Sequence, residues 1–223
     1  MQFVKTSGQS KGTRELTKRL NKELSGGKRV LWLLSGGSNI AITTKVMAAL
    51  PHEATKNLAI FLLDERYGET GHLDSNAKQL YDAGFQAKEA VFVPVLVPGF
   101  SLEETRERYA EACKRALEHA DVVIAQIGIG SDGHIAGILP HSAAADADGW
   151  VAAYQTPHFT RVTLTFDAMR KITVAYVMAF GKEKEPTLLQ LRDEKSSLID
   201  QPAQFLKELP EVYIYNDRIG DKT

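Results

Sequence analysis

The 223-residue sequence contains very little cysteine and no long apolar run. Its single cysteine, Cys113, excludes an internal disulfide and a cysteine-rich zinc site. No segment approaches the roughly 20 consecutive apolar residues that span a bilayer, and residues 1–12 lack the apolar core of a signal peptide. We therefore expect a soluble, cytoplasmic protein that does not associate with membranes.

An excess of charge of one sign is also lacking. The 27 lysines and arginines nearly balance the 28 aspartates and glutamates, and no basic cluster carries interleaved aromatic residues. Nucleic acid is therefore not an expected partner. No two of the 6 histidines have metal-ligand spacing with a carboxylate partner, so no metal ion is expected, and no other cofactor is predicted. The sequence leaves the oligomeric state open between a monomer and a small homo-oligomer.

Short apolar runs alternate with amphipathic stretches from one end of the chain to the other. Most of the runs are almost continuously apolar, as in strands buried on both faces of a sheet. They predict strands at residues 29–34, 58–63, 91–97, 121–129, 161–166, 172–180 and 211–215. Helical patterns fill the gaps at residues 12–25, 39–50, 75–83, 101–120, 183–193 and 202–208. This alternation predicts a single α/β domain over residues 1–223 with a largely parallel sheet.

Two further segments give local expectations. The helix at 101–120 begins with Ser101 and Glu104, a capping-box pair, and places Cys113 on its apolar face, which favours a structural cysteine. Residues 141–160 show no clear periodicity. They predict either a surface loop with one short strand or a flap over a site, and the sequence does not decide between the two.

Unusual polar residues directly follow three of the predicted strands. These segments are Ser-Gly-Gly-Ser at 35–38, Asp-Glu-Arg at 64–66 and Ser-Asp-Gly-His at 131–134. In an open parallel sheet, ligands bind just beyond the carboxyl ends of the strands. We therefore expect the three segments to converge on one crevice.

The first two segments have both a structural and a functional interpretation. Residues 35–38 could be a tight turn with Ser38 as a helix N-cap, or a phosphate cradle of backbone N–H groups at a helix N-terminus. The segment matches neither the P-loop nor the dinucleotide fingerprint. Residues 64–66 could be a surface ion-pair cluster. Alternatively, Arg66 could hold an anion or a developing oxyanion, and Asp64 could accept hydrogen bonds or act as a base.

The third segment places His134 beside a glycine, two positions after Asp132. An imidazole titrates near neutral pH, so it can take a proton from water and return it to a leaving oxygen. The other five histidines lie at helix ends or in loops and are predicted to be solvated. A purely structural turn has no use for an imidazole at this place, which makes His134 the candidate base.

Taken together, these motifs resemble the 6-phosphogluconolactonase and glucosamine-6-phosphate deaminase superfamily. The resemblance runs from about residue 29 to 191 and includes Ser-Gly-Gly-Ser, Asp-Glu-Arg, Leu-Asp-Ser-Asn at 73–76 and the segment 127–140. It implies a three-layer α/β/α fold with a mainly parallel, Rossmann-like sheet. It also implies hydrolysis of a phosphorylated sugar lactone as the activity, with that small molecule as the partner.

The resemblance also implies roles for individual residues. Those expected in catalysis are His134, Arg66, Asp132 and Asp64. Those expected to bind the substrate and its phosphate are Ser35, Gly36, Gly37, Ser38, Gly130, Arg161 and Lys184. In the implied mechanism His134 activates water for attack on the lactone carbonyl, and Arg66 stabilises the oxyanion.

Two rival functions stay open at the level of the sequence. The first is an amino-sugar-phosphate deaminase, but that branch has Tyr where this chain has Arg66, and Asn-Glu-Pro where this chain has Ile-Leu-Pro at 138–140. The second is a sensor that binds sugar phosphates without turnover. Sensors of this fold normally carry a helix-turn-helix segment, which is not visible here. The sequence also departs from the lactonase pattern at Asn39, Gly68 and Glu185.

Overall fold

The computed structural model describes residues 1–221 and shows an alternation of strands and helices. In chain order the strands and α-helices are β1 (Gln2–Lys5), α1 (Ser10–Ser25), β2 (Val30–Leu34), α2 (Ile40–Ala49), β3 (Leu58–Leu62), β4 (Asp64–Arg66), α3 (Asn76–Asp82), β5 (Val91–Val93), α4 (Leu102–His119), β6 (Val122–Ile127), β7 (Val151–Gln155), β8 (Thr160–Leu164), α5 (Phe166–Met169), β9 (Val174–Met178), α6 (Glu185–Asp193) and β10 (Val212–Asn216). Short 3₁₀ turns cover Gly37–Asn39, Glu53–Asn57, Ala143–Asp146, Lys182–Lys184 and Pro202–Glu208.

Seven strands form the central sheet in the order β1-β10-β9-β6-β2-β3-β5, and every pairing in it is parallel. Its middle strands β2 and β6 are buried along their whole length, as their apolar sequences require. Helices flank the sheet, with α1 packed on α2 and α4 packed on α5. The predicted fold class, a mainly parallel sheet in an α/β fold, is confirmed.

A second, smaller sheet is the main departure from the predicted architecture. Strands β4, β8 and β7 pair antiparallel, in that order. The apolar run at 161–166 therefore contributes β8 to this sheet rather than a strand to the parallel one. Strands β7 and β8 are joined only by residues 156–159, and so short a connection permits only an antiparallel hairpin. Residues 141–160 accordingly contain the 3₁₀ turn Ala143–Asp146, strand β7 and the first residue of β8, rather than a loop with at most one short strand.

Other predicted elements need smaller corrections. The strand predicted at 91–97 ends at Val93, because Pro94 cannot donate a ladder hydrogen bond. The helix predicted at 202–208 is a 3₁₀ turn. Strand β1 and the short helix α5 were not predicted. Among residues 1–221, no helix combines the length and the apolar character needed to cross a bilayer.

The predictions for helix α4 are confirmed. The Ser101 side chain accepts a hydrogen bond from the Glu104 backbone N–H, and the Glu104 carboxylate accepts one from the Ser101 backbone N–H. Cys113 is fully buried, and burial raises the pKa of its thiol to about 12. A thiol with so high a pKa is not a nucleophile at neutral pH, so Cys113 is a packing residue.

Candidate active site

The three polar segments meet at one cavity beyond the carboxyl ends of β6, β2 and β3, which are neighbours in the sheet. The cavity has a volume of about 220 Å³. It is lined by Ser35, Gly36, Gly37, Ser38, Asn39, Asp64, Arg66, Asn76, Gly128, Ile129, Gly130, His134, Ala136, Arg161 and Lys184. Ten of the eleven residues predicted for the site are in this lining. The exception is Asp132, which contacts the His134 side chain instead.

The glycine-rich turn after β2 brings backbone close to the cavity. Gly37 has a φ of +60°, a conformation that glycine adopts without strain. At Gly36, a Cβ atom would lie 2.0 Å from Oδ1 of Asn76, so only glycine permits this approach. Ser38 lies within the 3₁₀ turn Gly37–Asn39, Asn39 occupies the N-cap position of α2, and no side chain caps that helix. The interpretation of Ser38 as an N-cap is therefore wrong.

Below this turn, a buried polar network fixes Asn39, which the sequence analysis did not assign to the site. Gln126 of β6 donates from Nε2 to the Asn39 carbonyl oxygen at 2.9 Å. Thr43 of α2 donates to the Asn39 carbonyl oxygen at 3.2 Å. The Gln126 side chain thus ties the turn to the central sheet, and the Thr43 side chain ties it to the first turn of α2.

A buried ion pair joins the second segment to β8. Arg161 donates from Nη1 to Oδ2 of Asp64 at 3.1 Å, and the two side chains are only 12% and 7% exposed. Asn76 donates from Nδ2 to the Asp64 carbonyl oxygen at 2.9 Å. The interpretation of residues 64–66 as a surface ion-pair cluster is therefore wrong for Asp64. A pair this deeply buried fixes the Arg161 guanidinium at the cavity wall.

Glu65, the middle residue of the segment, points away from the cavity into the start of α3. Its carboxylate accepts hydrogen bonds from the backbone N–H groups of Arg66, Asn76 and Ala77 and from the Ser75 hydroxyl. Burial raises the pKa of this carboxyl group, and the four hydrogen bonds oppose that shift. Glu65 therefore anchors the start of α3 and, through it, Asn76.

The two arginines at the cavity have hydrogen-bonding capacity to spare. Arg66 donates from Nη1 to the Asp74 carbonyl oxygen at 2.8 Å. The Nε atoms of Arg66 and Arg161 are buried and have no hydrogen-bond partner in the protein. A buried donor without a partner is costly, and an anionic ligand at a guanidinium relieves that cost. The arrangement suits the binding of oxyanions.

His134 is held in place by close backbone approach and by Asp132. The His134 Nδ1 atom is 2.6 Å from Oδ1 of Asp132, and a Cβ at Gly130 would lie 2.1 Å from the same nitrogen. A carboxylate accepts hydrogen bonds only, so Nδ1 carries the proton when the ring is neutral, which leaves the lone pair on Nε2. This is the tautomer that a base acting through Nε2 requires.

The loop before His134 also accepts hydrogen bonds from helix α6 and from the 3₁₀ turn Lys182–Lys184 that precedes it. Lys184 donates from Nζ to the Ile129 carbonyl oxygen, and Thr187 donates to the Ser131 carbonyl oxygen at 2.5 Å. Lys184 lines the cavity although the acidic Glu185 follows it directly in the sequence. Among residues 1–221, no cluster of three or more His, Cys, Asp or Glu side chains could hold a metal ion.

Five residues of the lining were not predicted to belong to the site: Asn39, Asn76, Gly128, Ile129 and Ala136. Asn76 is the last residue of the Leu-Asp-Ser-Asn motif at 73–76, so the motif could have identified it as a site residue. Asn39 directly follows the glycine-rich turn. The other three lie in the His134 segment and contribute chiefly backbone, for which residue identity gives no signal.

We expect the Asp132–His134 contact to be visible in a titration. The hydrogen bond from His134 holds the pKa of Asp132 at about 2, below the ordinary 3.8. Because the pKa is lowered on folding, the stability that this pair contributes is complete above pH 3.8 and is lost as the pH falls through about 2. In ¹³C NMR of the carboxyl group, the midpoint should return toward 3.8 in His134→Ala. An unchanged midpoint would contradict the assigned cause.

The chain is similar in sequence to known proteins along most of its length. The model of the family "Glucosamine-6-phosphate isomerases/6-phosphogluconolactonase" matches residues 7–214. A 6-phosphogluconolactonase of Xylella fastidiosa strain Temecula1 is 30% identical over 213 residues, which cover 89% of this chain and 86% of that protein. One of Pseudomonas aeruginosa is 28% identical over 197 residues, covering 81% of this chain and 80% of that protein.

The fold is shared with solved structures. The crystal structure of a 6-phosphogluconolactonase from Shewanella baltica has a TM-score of 0.81 to this chain, with 21% identity and 96% of each chain covered. The structure of 6-phosphogluconolactonase from Thermotoga maritima has a TM-score of 0.78, with 22% identity and coverage of 96% of this chain and 97% of the other.

Proposed function

Because this chain belongs to the family of glucosamine-6-phosphate isomerases and 6-phosphogluconolactonases, we propose that it hydrolyses 6-phospho-D-glucono-1,5-lactone to 6-phosphogluconate in the oxidative pentose phosphate pathway. The observation that carries the proposal is the Asp132–His134 pair at a cavity that also presents Arg161 and Lys184. A base and a cationic phosphate site within one small cavity are what this hydrolysis needs.

The phosphate group of the substrate binds between the glycine-rich turn and two cations. Gly36, Gly37 and Ser38 offer backbone N–H groups and a hydroxyl on one side of the cavity. Arg161 and Lys184 offer a planar guanidinium and an ammonium. Ser35 and Gly130 also line the cavity. The Ser35 hydroxyl accepts a hydrogen bond from the Gly128 N–H at 3.2 Å, which links the turn after β2 to the loop after β6.

His134 acts as the general base. Its Nε2 removes a proton from water as the water oxygen forms a bond to the lactone carbonyl carbon. The resulting tetrahedral intermediate then collapses, the bond from that carbon to the ring oxygen breaks, and the proton on Nε2 passes to the ring oxygen. Asp132 holds the imidazole in position and balances its positive charge between the two proton transfers.

Arg66 stabilises the negative charge that develops on the carbonyl oxygen. It lines the same cavity as His134, and its Nη1 is held by the Asp74 carbonyl oxygen. Asp64 does not serve as a second base in this mechanism. Its Oδ2 pairs with Arg161 and its Oδ1 is 3.4 Å from Nδ2 of Asn76, so its role is to position Arg161.

The test is an assay of lactone hydrolysis against the spontaneous background, read through a coupled 6-phosphogluconate dehydrogenase. We expect a clear acceleration with the freshly prepared lactone and no ammonia release from glucosamine 6-phosphate. Ammonia release without lactone hydrolysis would replace the proposal with a deaminase. Tight binding of 6-phosphogluconate with neither activity would replace it with a sensor.

A further inference from the structure

Phe159 lies at the edge of the active site with two arginine side chains against its ring. The Cζ atoms of Arg66 and Arg161 are 5.3 Å and 5.9 Å from the ring centroid. Both distances are within the approximately 6 Å at which a guanidinium is attracted to the face of an aromatic ring. The cavity lining contains both arginines but not Phe159, so the ring acts on the site through them.

The backbone pairing of β4 and β8 brings the positive charges of these two arginines close together. Arg66 of β4 and Arg161 of β8 are direct partners in the antiparallel register. Like charges directly opposite each other on neighbouring strands destabilise the pairing. Asp64 neutralises Arg161 through the buried ion pair, whereas the hydrogen bond of the Arg66 guanidinium goes to the neutral Asp74 carbonyl. An attractive contact common to both guanidiniums would offset this repulsion.

The ring itself is held by a tight turn between β7 and β8. The Thr156 backbone N–H donates to the Phe159 carbonyl oxygen at 2.7 Å, and the Phe159 backbone N–H donates to the Thr156 hydroxyl at 2.9 Å. These reciprocal bonds fix the backbone of Phe159. A fixed backbone restricts the positions that its side chain can take.

We propose that Phe159 is a positioning residue whose ring face holds Arg66 and Arg161 side by side in the geometry that the oxyanions of the substrate require. The inference rests on the proposed function, because it assigns Arg161 to the phosphate and Arg66 to the carbonyl oxygen. The ring replaces a second acidic side chain. An acid beside Arg66 would neutralise the charge that the reaction uses, whereas an aromatic ring attracts the guanidinium and leaves its charge intact.

The test replaces Phe159 with phenylalanine analogues that carry successively more ring fluorines. Fluorination weakens the negative face of the ring with little change in its shape. We expect kcat/KM for the lactone and the affinity for inorganic phosphate to fall stepwise, by about 3- to 10-fold across the series. Phe159→Leu keeps an apolar side chain but has no ring. This variant should lower kcat/KM and the phosphate affinity as much as the most fluorinated analogue does.

Phe92 provides the matched control, because its half-buried ring contacts Tyr81 and Phe85. The same analogues there should leave both measurements unchanged. A flat series at Phe159 would overturn the inference, since a purely apolar contact does not respond to fluorination. Phosphate affinity is measured by calorimetry without turnover. Failure of the lactonase proposal is thus distinguishable from failure of the role of Phe159.

Discussion

Replacing His134 with alanine is expected to lower kcat for lactone hydrolysis by about 10²- to 10⁴-fold, the usual contribution of a positioned general base. KM should change little, because the residues assigned to the phosphate are untouched. The measurement is the coupled assay over a range of lactone concentrations, corrected for spontaneous hydrolysis. The lower rate should therefore appear as a decrease in kcat, with KM close to its wild-type value.

This variant is suited to the test because it should fold normally. The His134 side chain is 34% exposed and its Asp132 partner 50%, and ion pairs at such exposure contribute little to stability. His119→Ala is the matched control: His119 is exposed at the end of α4, where its ring contacts the Arg115 carbonyl oxygen. Wild-type kcat in a folded His134→Ala protein would exclude the imidazole as the base.

The convergence of the three polar segments was predictable because each directly follows a buried strand. Strand runs such as 30–34 and 58–62 carry a strong local signal, and parallel pairing brings their carboxyl ends to one edge. His134 could be singled out for a similar reason, since the glycines around it suit close backbone approach better than a surface turn. Patterns that are local in sequence thus located most of the cavity.

Contacts between residues distant in the chain could not be predicted in the same way. Asp64 and Arg161 are 97 positions apart, and nothing local to either indicates a buried pair. The pairing depends on the second sheet, and its strand β4 has only the three residues Asp64–Arg66, two of them acidic, which gives no strand pattern. The contacts of Phe159 with the two arginines depend on the same second sheet, whereas the contact of Asn39 with Gln126 depends on packing against the central sheet. Periodicity that is local in the sequence indicates neither set of contacts.

The second large effect is expected at the buried ion pair, where Arg161→Met should lower the free energy of unfolding by about 3–5 kcal/mol. The substitution removes the charged partner of Asp64 and leaves the carboxylate of that residue, whose side chain is only 7% exposed, without compensation. KM for the lactone should also rise about 10- to 100-fold, because a charge-assisted hydrogen bond to the phosphate is lost. Urea denaturation and the coupled assay measure the two effects.

Adding Asp64→Asn to Arg161→Met separates these two roles. The double variant no longer contains an unpaired buried charge, so most of the lost stability should return. Its KM should stay high, because asparagine at position 64 does not restore a cation at the phosphate. Recovery of both quantities would show that Arg161 serves only to balance Asp64. A single variant as stable as wild type would instead show that the pair is not desolvated in solution, since only a buried charge is costly to leave alone.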